Sequence, residues 1–263
     1  MDPKILNDLL NPAVERRTVT CPAHGDYESE IRRFLSREVQ SPCPRCAAEK
    51  AEAERLEAEA RAAEARRRER AARYRAAGLP LRFWERDFGG YRTRTAEQRQ
   101  ALATVRRYAE HFAALAERGT CLLLCGSFGT GKTHLAVALA KALLEEGYEV
   151  RYGGARALLR DIRETWATPG ARESEAIGRL VECDLLILDE VGMQFGSDAE
   201  RLLLFDVLNG RYEALKPTVL ASNLTVAELP EYLGGRLVDR LRENGGAVVP
   251  FTWASERRLR AAA

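Results

Sequence analysis

Residues Gly126-Ser127-Phe128-Gly129-Thr130-Gly131-Lys132-Thr133 fit the pattern G-x-x-x-x-G-K-[ST]. They fall between an apolar run, Cys121 to Cys125, and a helical pattern, Lys132 to Glu146, closed by Gly147. Nothing else in the chain constrains its fold as strongly. Glycines let backbone N–H groups curl around phosphate oxygens, and the start of the following helix adds the positive end of its dipole. The spacing therefore predicts a strand, loop and helix that cradle the phosphates of ATP. Lys132 reaches the β- and γ-phosphates in such a site, and the Thr133 hydroxyl ligates Mg2+.

A second signal is the run Asp184-Leu185-Leu186-Ile187-Leu188 followed by Asp189-Glu190. Carboxylates beside a dry strand are costly unless a cation meets them. Asp189 is expected to hold Mg2+ through water and Glu190 to orient and activate the attacking water. A third run, Thr218 to Ser222, ends at Asn223, whose amide can bond the γ-phosphate or its water, or can serve as a turn residue. Further runs, Glu149 to Tyr152 and Ala247 to Phe251, alternate with helical patterns such as Asp198 to Leu215. Alternation of this kind predicts βαβ units and a mainly parallel sheet, an α/β fold. Phe88 and Tyr91, just before this core, can flank the adenine base or pack against the sheet.

Ahead of the core lie Cys21, His24, Cys43 and Cys46, with eighteen residues between His24 and Cys43. Two C-x-x-[CH] pairs supply the four N/S ligands of tetrahedral Zn2+, and a closed four-ligand site reads as structural. A redox pair or unligated thiols are the alternative. From Ala47 to Ala77 the chain holds thirteen Ala, nine Lys or Arg and seven Glu, with Leu56 and Tyr74 as its large apolar side chains. This composition forms helix but offers no face to bury, so a solvated linker helix is expected, stopped by Gly78-Leu79-Pro80. Residues 61–75 carry seven Arg against two Glu, a solvated face or one that approaches phosphates or an acidic partner. The expected division is 1–46 zinc module, 47–77 linker and 78–263 nucleotide-binding domain.

Net charge is +2, carried by residues 1–77, so no basic field advertises nucleic acid. No apolar run approaches the roughly 18 residues of a membrane span, and the N-terminus lacks the pattern of a secretory signal. The expectation is a soluble, cytoplasmic protein without a membrane partner.

The stretch from about Leu79 to Arg260 resembles the bacterial replicative helicase loader family DnaC and its phage relatives. Beyond the phosphate loop, the likeness rests on Asp184 to Gly192, Ala221-Ser222-Asn223, Leu233-Gly-Gly-Arg236-Leu-Val-Asp-Arg240 and Trp253-Ala-Ser-Glu-Arg257. The resemblance implies an AAA+ fold, with Asn223 as first sensor, Arg240 as an arginine finger acting on a neighbouring subunit and Arg257 as second sensor. Arg236, Arg240 and Arg242 can equally form a solvated helical face. By the same resemblance, a helix after the second core strand is associated with single-stranded DNA. Between Ala155 and Trp166, Leu158, Leu159, Ile162 and Trp166 share one side at 100° per residue, and Arg156, Arg160 and Arg163 share the other. Those three arginines are the DNA candidates, or ordinary arginines facing water.

The implied activity is hydrolysis of ATP that times release of a hexameric replicative DNA helicase onto single-stranded DNA, with self-association through the ATPase core. Transposition helpers of the IstB type share the core. Phage-type loaders similar to this chain begin with a Cys/His knuckle pair and a charged helix, which favours the loader. A small-molecule P-loop kinase and an adaptor that binds ATP without hydrolysing it are the other readings.

Overall fold

The structure, a computed structural model, describes residues 14–34, 37–192 and 198–256. Contacts divide the chain into two compact units, Met1–Glu69 and Arg70–Ala263.

In the first unit β1 (Val14–Cys21), β2 (Gly25–Phe34) and β3 (Arg37–Gln40) form an antiparallel sheet in the order β1-β2-β3. Gly25, at φ +75, closes the tight β1–β2 turn, which pairs Cys21 with Gly25. The apolar pattern of the sequence does not mark these strands. Their sequences, such as Val-Glu-Arg-Arg-Thr-Val-Thr, lack an apolar face, and seven of the eight β1 positions are exposed or only partly covered. Buried side chains here are few, chiefly Cys21, Ser29, Ile31 and Cys43. A sheet with so little apolar burial needs another source of stability. Helix α1 (Pro44–Ala76) starts within the second knuckle and runs 33 residues. Its exposed ion pairs, among them Arg68–Glu64, Arg61–Glu57 and Arg55–Glu52, join side chains three or four apart, neighbours on a helix surface.

Tyr74, in the last turns of α1, is buried within the second unit and donates to Glu145. Gly78, at φ +81, and Pro80 end the helix where the sequence predicts. Next come α2 (Ala96–Glu110), α3 (Phe112–Ala116), β4 (Leu122–Gly126), α4 (Lys132–Glu145) and β5 (Val150–Gly154). They are followed by α5 (Ala155–Glu164), α6 (Glu173–Glu182), β6 (Leu185–Val191) and α7 (Asp198–Glu213). The described chain closes with β7 (Thr218–Ser222), α8 (Leu229–Leu233), α9 (Gly235–Arg242) and β8 (Ala247–Phe251). The five core strands are all parallel, in the order β5-β6-β7-β4-β8.

Alternation along the strands builds three layers. Leu122, Leu124, Leu185 and Ile187 face a cluster with Val105 of α2 and Leu135, Leu139 and Leu143 of α4. Leu123, Leu186, Leu188 and Leu220 face the opposite cluster with α5, α6, α7 and α9. Each fully buried leucine contributes roughly 1.5–3 kcal/mol, so the central strands dominate the stability of this unit. Helix α7 ends two residues before the expected Leu215, which adopts a left-handed φ of +51 ahead of Pro217. Arg211 of α7 is fully buried and donates to the carbonyls of Leu180, Val181, Cys183 and Pro217 and to the Thr218 hydroxyl. It ties the end of α6 to the start of β7. All six cysteines are free thiols, and no helix among the described residues is long and apolar enough to cross a membrane.

Candidate nucleotide site and metal centre

Gly126 ends β4 at φ +133, and a Cβ there would sit 2.2 Å from the Phe251 carbonyl oxygen, so only glycine fits. Gly131, at φ +100, starts α4, and its missing Cβ makes room for the Tyr91 ring. Between them the loop closes on itself. The Thr130 hydroxyl donates to Ser127 O (2.8 Å), and Lys132 Nζ donates to Gly126 O (2.6 Å) and Ser127 O (2.8 Å). Thr133 follows Lys132 in the first turn of α4. Phe128 stands exposed at the loop tip.

A brace stands behind the loop; the sequence offers Tyr91 as a neighbour of the site and Trp253 and Glu256 within a segment that carries the family likeness, but gives Gln98 no mark. Tyr91 Oη and Trp253 Nε1 both donate to Thr130 O, at 3.3 and 3.0 Å, and the Glu256 N–H donates to Gly129 O at 2.9 Å. Gln98 joins the brace to α2: its side chain completes the capping box with Thr95, and its Nε2 donates to Glu256 Oε1 at 3.1 Å. Tyr91 is buried against the loop and Phe88 is half-buried under Arg106. His134 Nε2 lies 2.7 Å from the Asp87 carbonyl oxygen, and burial holds its pKa below the ordinary value, so a neutral ring donates there.

At the tip of β6, Asp189 is buried and Glu190 exposed. The register of β6 against β7 slips between Leu188 and Val191, and Glu190 takes a left-handed φ of +58. A non-glycine residue there is strained, and the strain turns successive acids to different environments. Asp189 Oδ2 accepts from the Tyr152 hydroxyl (2.7 Å) and Oδ1 from the Glu190 N–H (2.8 Å). Asn223 follows β7, where Ser222 donates to Val191 O (2.6 Å) and fixes one strand end against the other. One cavity of about 450 Å3 is lined by residues 128–134, Asp189, Glu190 and Asn223, together with Arg82, Arg86, Tyr91 and Glu256 among others. Its size suits a nucleotide, and its chemistry does too: its lining combines Lys132 and a helix start with the two carboxylates Asp189 and Glu190. Lys132, Thr133, Asp189 and Glu190 thus meet in space as the spacing predicts, and Asn223 joins them.

The other candidates lie elsewhere. Arg240 hydrogen-bonds Asn209 and lies 4.9 Å above the Tyr212 ring, outside the cavity. Arg257 is outside the described residues. Arg156 is exposed, and Arg160 makes a loose 3.8 Å pair with Glu164. Arg163 differs from both: it donates to the buried Glu200 at 2.9 Å and so ties α5 to α7. Leu159 and Ile162 are buried as the periodicity predicts, but Trp166 is exposed, because α5 stops at Glu164 and a tighter turn, Thr165–Ala167, shifts its direction.

In the first unit Cys21, His24, Cys43 and Cys46 bring their ligand atoms within 4.8 Å of one another. A tetrahedral site with Zn–S of about 2.3 Å and Zn–N of about 2.0–2.1 Å has edges of roughly 3.5–3.8 Å. Cys21 Sγ lies 3.5 Å from Cys46 Sγ, and His24 Nδ1 lies 3.3 Å from Cys46 Sγ and 3.8 Å from each of Cys21 and Cys43. The donor set therefore fits zinc. The backbone N–H of Ala23 holds the Cys21 thiol down at about 6, so it is readily the thiolate a metal takes. His24 Nε2 lies 3.0 Å from Glu49 Oε1, an outer carboxylate that fixes the ring and leaves Nδ1 to the ligand cluster. In the sequence Glu49 is one glutamate among seven in the linker and carries no mark of its own.

Comparison with known proteins bears on the ATP-binding fold. The family model described as IstB-like ATP binding protein matches residues 46–244. The replicative helicase loader DnaC of Escherichia coli (strain K12) is 31% identical over 170 residues, 65% of this chain and 68% of that protein. Among solved structures, a crystal structure of the DnaC helicase loader aligns with a TM-score of 0.59 at 26% identity, covering 65% of this chain and 99% of that one. AMPPCP-bound DnaA from Aquifex aeolicus aligns with a TM-score of 0.55 at 26% identity, covering 68% and 53%.

Proposed function

Because the chain belongs to the IstB/DnaC-like family of AAA+ ATPases, we propose that it is a helicase loader that uses Mg2+-dependent ATP hydrolysis to time release of a replicative DNA helicase onto single-stranded DNA. The observation that carries the reading is the meeting of the phosphate loop, Asp189, Glu190 and Asn223 in one cavity. Likeness to the DnaC loader supplies the partner.

In this reading the backbone N–H groups of Gly126 to Thr133 hold the phosphates, and Lys132 leaves the Gly126 and Ser127 carbonyls to meet the β- and γ-oxygens. Thr133 and Asp189 are the residues that hold Mg2+, which neutralises charge on the phosphate oxygens. Glu190 takes a proton from the attacking water, and Asn223 positions that water or the γ-phosphate. Arg240 leaves Asn209 and Tyr212 to act on a neighbouring copy, and Arg257 acts on the bound nucleotide of its own chain. Cys21, His24, Cys43 and Cys46 hold Zn2+ and stabilise residues 1–46, the module that grips the helicase. Arg156 and Arg160, with Arg163 beside them, contact the DNA backbone without sequence preference. The protein works in the cytoplasm.

The test is capture of a hexameric replicative helicase by the chain with residues 1–46 present and removed. Capture that requires those residues, and release that requires hydrolysable ATP, is the expected result. A transposase bound in place of the helicase would establish the transposition-helper reading instead.

A further inference from the structure

The Asp189 carboxylate has both oxygens engaged, one by the Tyr152 hydroxyl and one by the Glu190 N–H. Two donors on two oxygens fix the direction of the group. Tyr152 is itself buried in β5 and is gripped from the other side. Its backbone N–H donates to Ala77 O at 2.8 Å, one residue past the end of α1. Arg151 Nη1 donates to Ala76 O at 3.0 Å. Gly78 approaches so closely that a Cβ on it would lie 2.4 Å from the Tyr152 carbonyl oxygen. One residue therefore touches the acid of the phosphate site through its side chain and the terminus of α1 through its main chain.

We propose that Tyr152 is the positioning residue for Asp189 and joins it to the end of α1, so that magnesium–nucleotide in the cavity is felt at Ala76–Gly78. The inference rests on the ATP reading above and adds to it a route by which the end of α1 and the nucleotide site bias one another. A carboxylate that holds a metal through water needs a fixed orientation, and an outer hydrogen-bond donor supplies it. Any effect of bound nucleotide on the Ala77–Tyr152 contact is matched by an equal effect of that contact on nucleotide affinity, because linkage is reciprocal.

The experiment titrates Mg2+ into the full chain in the presence of a fluorescent ADP analogue, which reports binding without turnover. In Tyr152→Phe, which removes only the hydroxyl, the Mg2+ concentration for half-maximal effect should rise about tenfold. Nucleotide affinity without Mg2+ should match the unaltered chain, while the melting temperature should fall by the modest amount that loss of one hydrogen bond to a buried carboxylate entails. A folded variant with an unchanged Mg2+ midpoint overturns the positioning role. Hydrogen exchange on the unaltered chain needs no variant and decides the matter if Tyr152→Phe does not fold. The Tyr152 amide should exchange several-fold more slowly with Mg2+ and ADP than without; protection confined to the phosphate loop overturns the link to α1. An unaltered chain that binds no nucleotide at all, with or without Mg2+, sinks the ATP reading and this inference with it, an outcome distinct from a silent Tyr152→Phe.

Discussion

Gly126 and Glu190 show two opposite uses of left-handed backbone. At Gly126 the conformation brings the loop under the Phe251 carbonyl with no room for a Cβ. Gly126→Ala should therefore cost about 1–3 kcal/mol of stability and weaken nucleotide binding, to be read by denaturant unfolding and nucleotide titration. At Glu190 a residue with a side chain accepts the same kind of strain, and it is exposed where its neighbour Asp189 is buried. Glu190→Gln keeps size and hydrogen bonding but removes the base, so turnover should fall by about 10² or more while ATP binding persists. Undiminished turnover in that variant would remove Glu190 from the role of base, and absence of turnover in the unaltered chain as well would make the protein an ATP-binding adaptor. The phosphate loop is legible in the sequence because its chemistry is local: eight consecutive residues carry it. Tyr152, Glu49 and Gln98 are not, since their partners lie 37, 25 and 158 residues away and only strand register or helix placement brings them together.

Elements reveal a similar divide. The strands Thr218–Ser222 and Ala247–Phe251 match the apolar runs to the residue, and the other core strands match within a few, because buried parallel strands are written as continuous apolar runs. The antiparallel sheet before residue 41 has no such run, and in the proposed reading a metal held by the four Cys and His ligands supplies what apolar burial does not. Removal of metal should therefore undo it. The purified chain is expected to hold one zinc, and a strong chelator or Cys46→Ser should expose residues 14–46 to protease while residues 78–256 stay resistant. A metal-free chain equally resistant throughout would remove zinc from the account.

On the scale of the whole molecule, the second unit has its own two-sided core and every residue lining the nucleotide cavity. A chain beginning at residue 70 should bind nucleotide within about threefold of the full chain, since additivity holds for distant, independent groups, and should fail to capture the helicase. Loss of nucleotide binding on truncation would show that the first unit contributes to the site. The Ala77 carbonyl, which takes the middle N–H of β5, has one more effect. β5 is an outer margin of the core sheet, and such margins invite another polypeptide to add a strand. With that margin plugged by the protein's own backbone, addition of a foreign strand from this side, and ladder-like polymerisation with it, is discouraged.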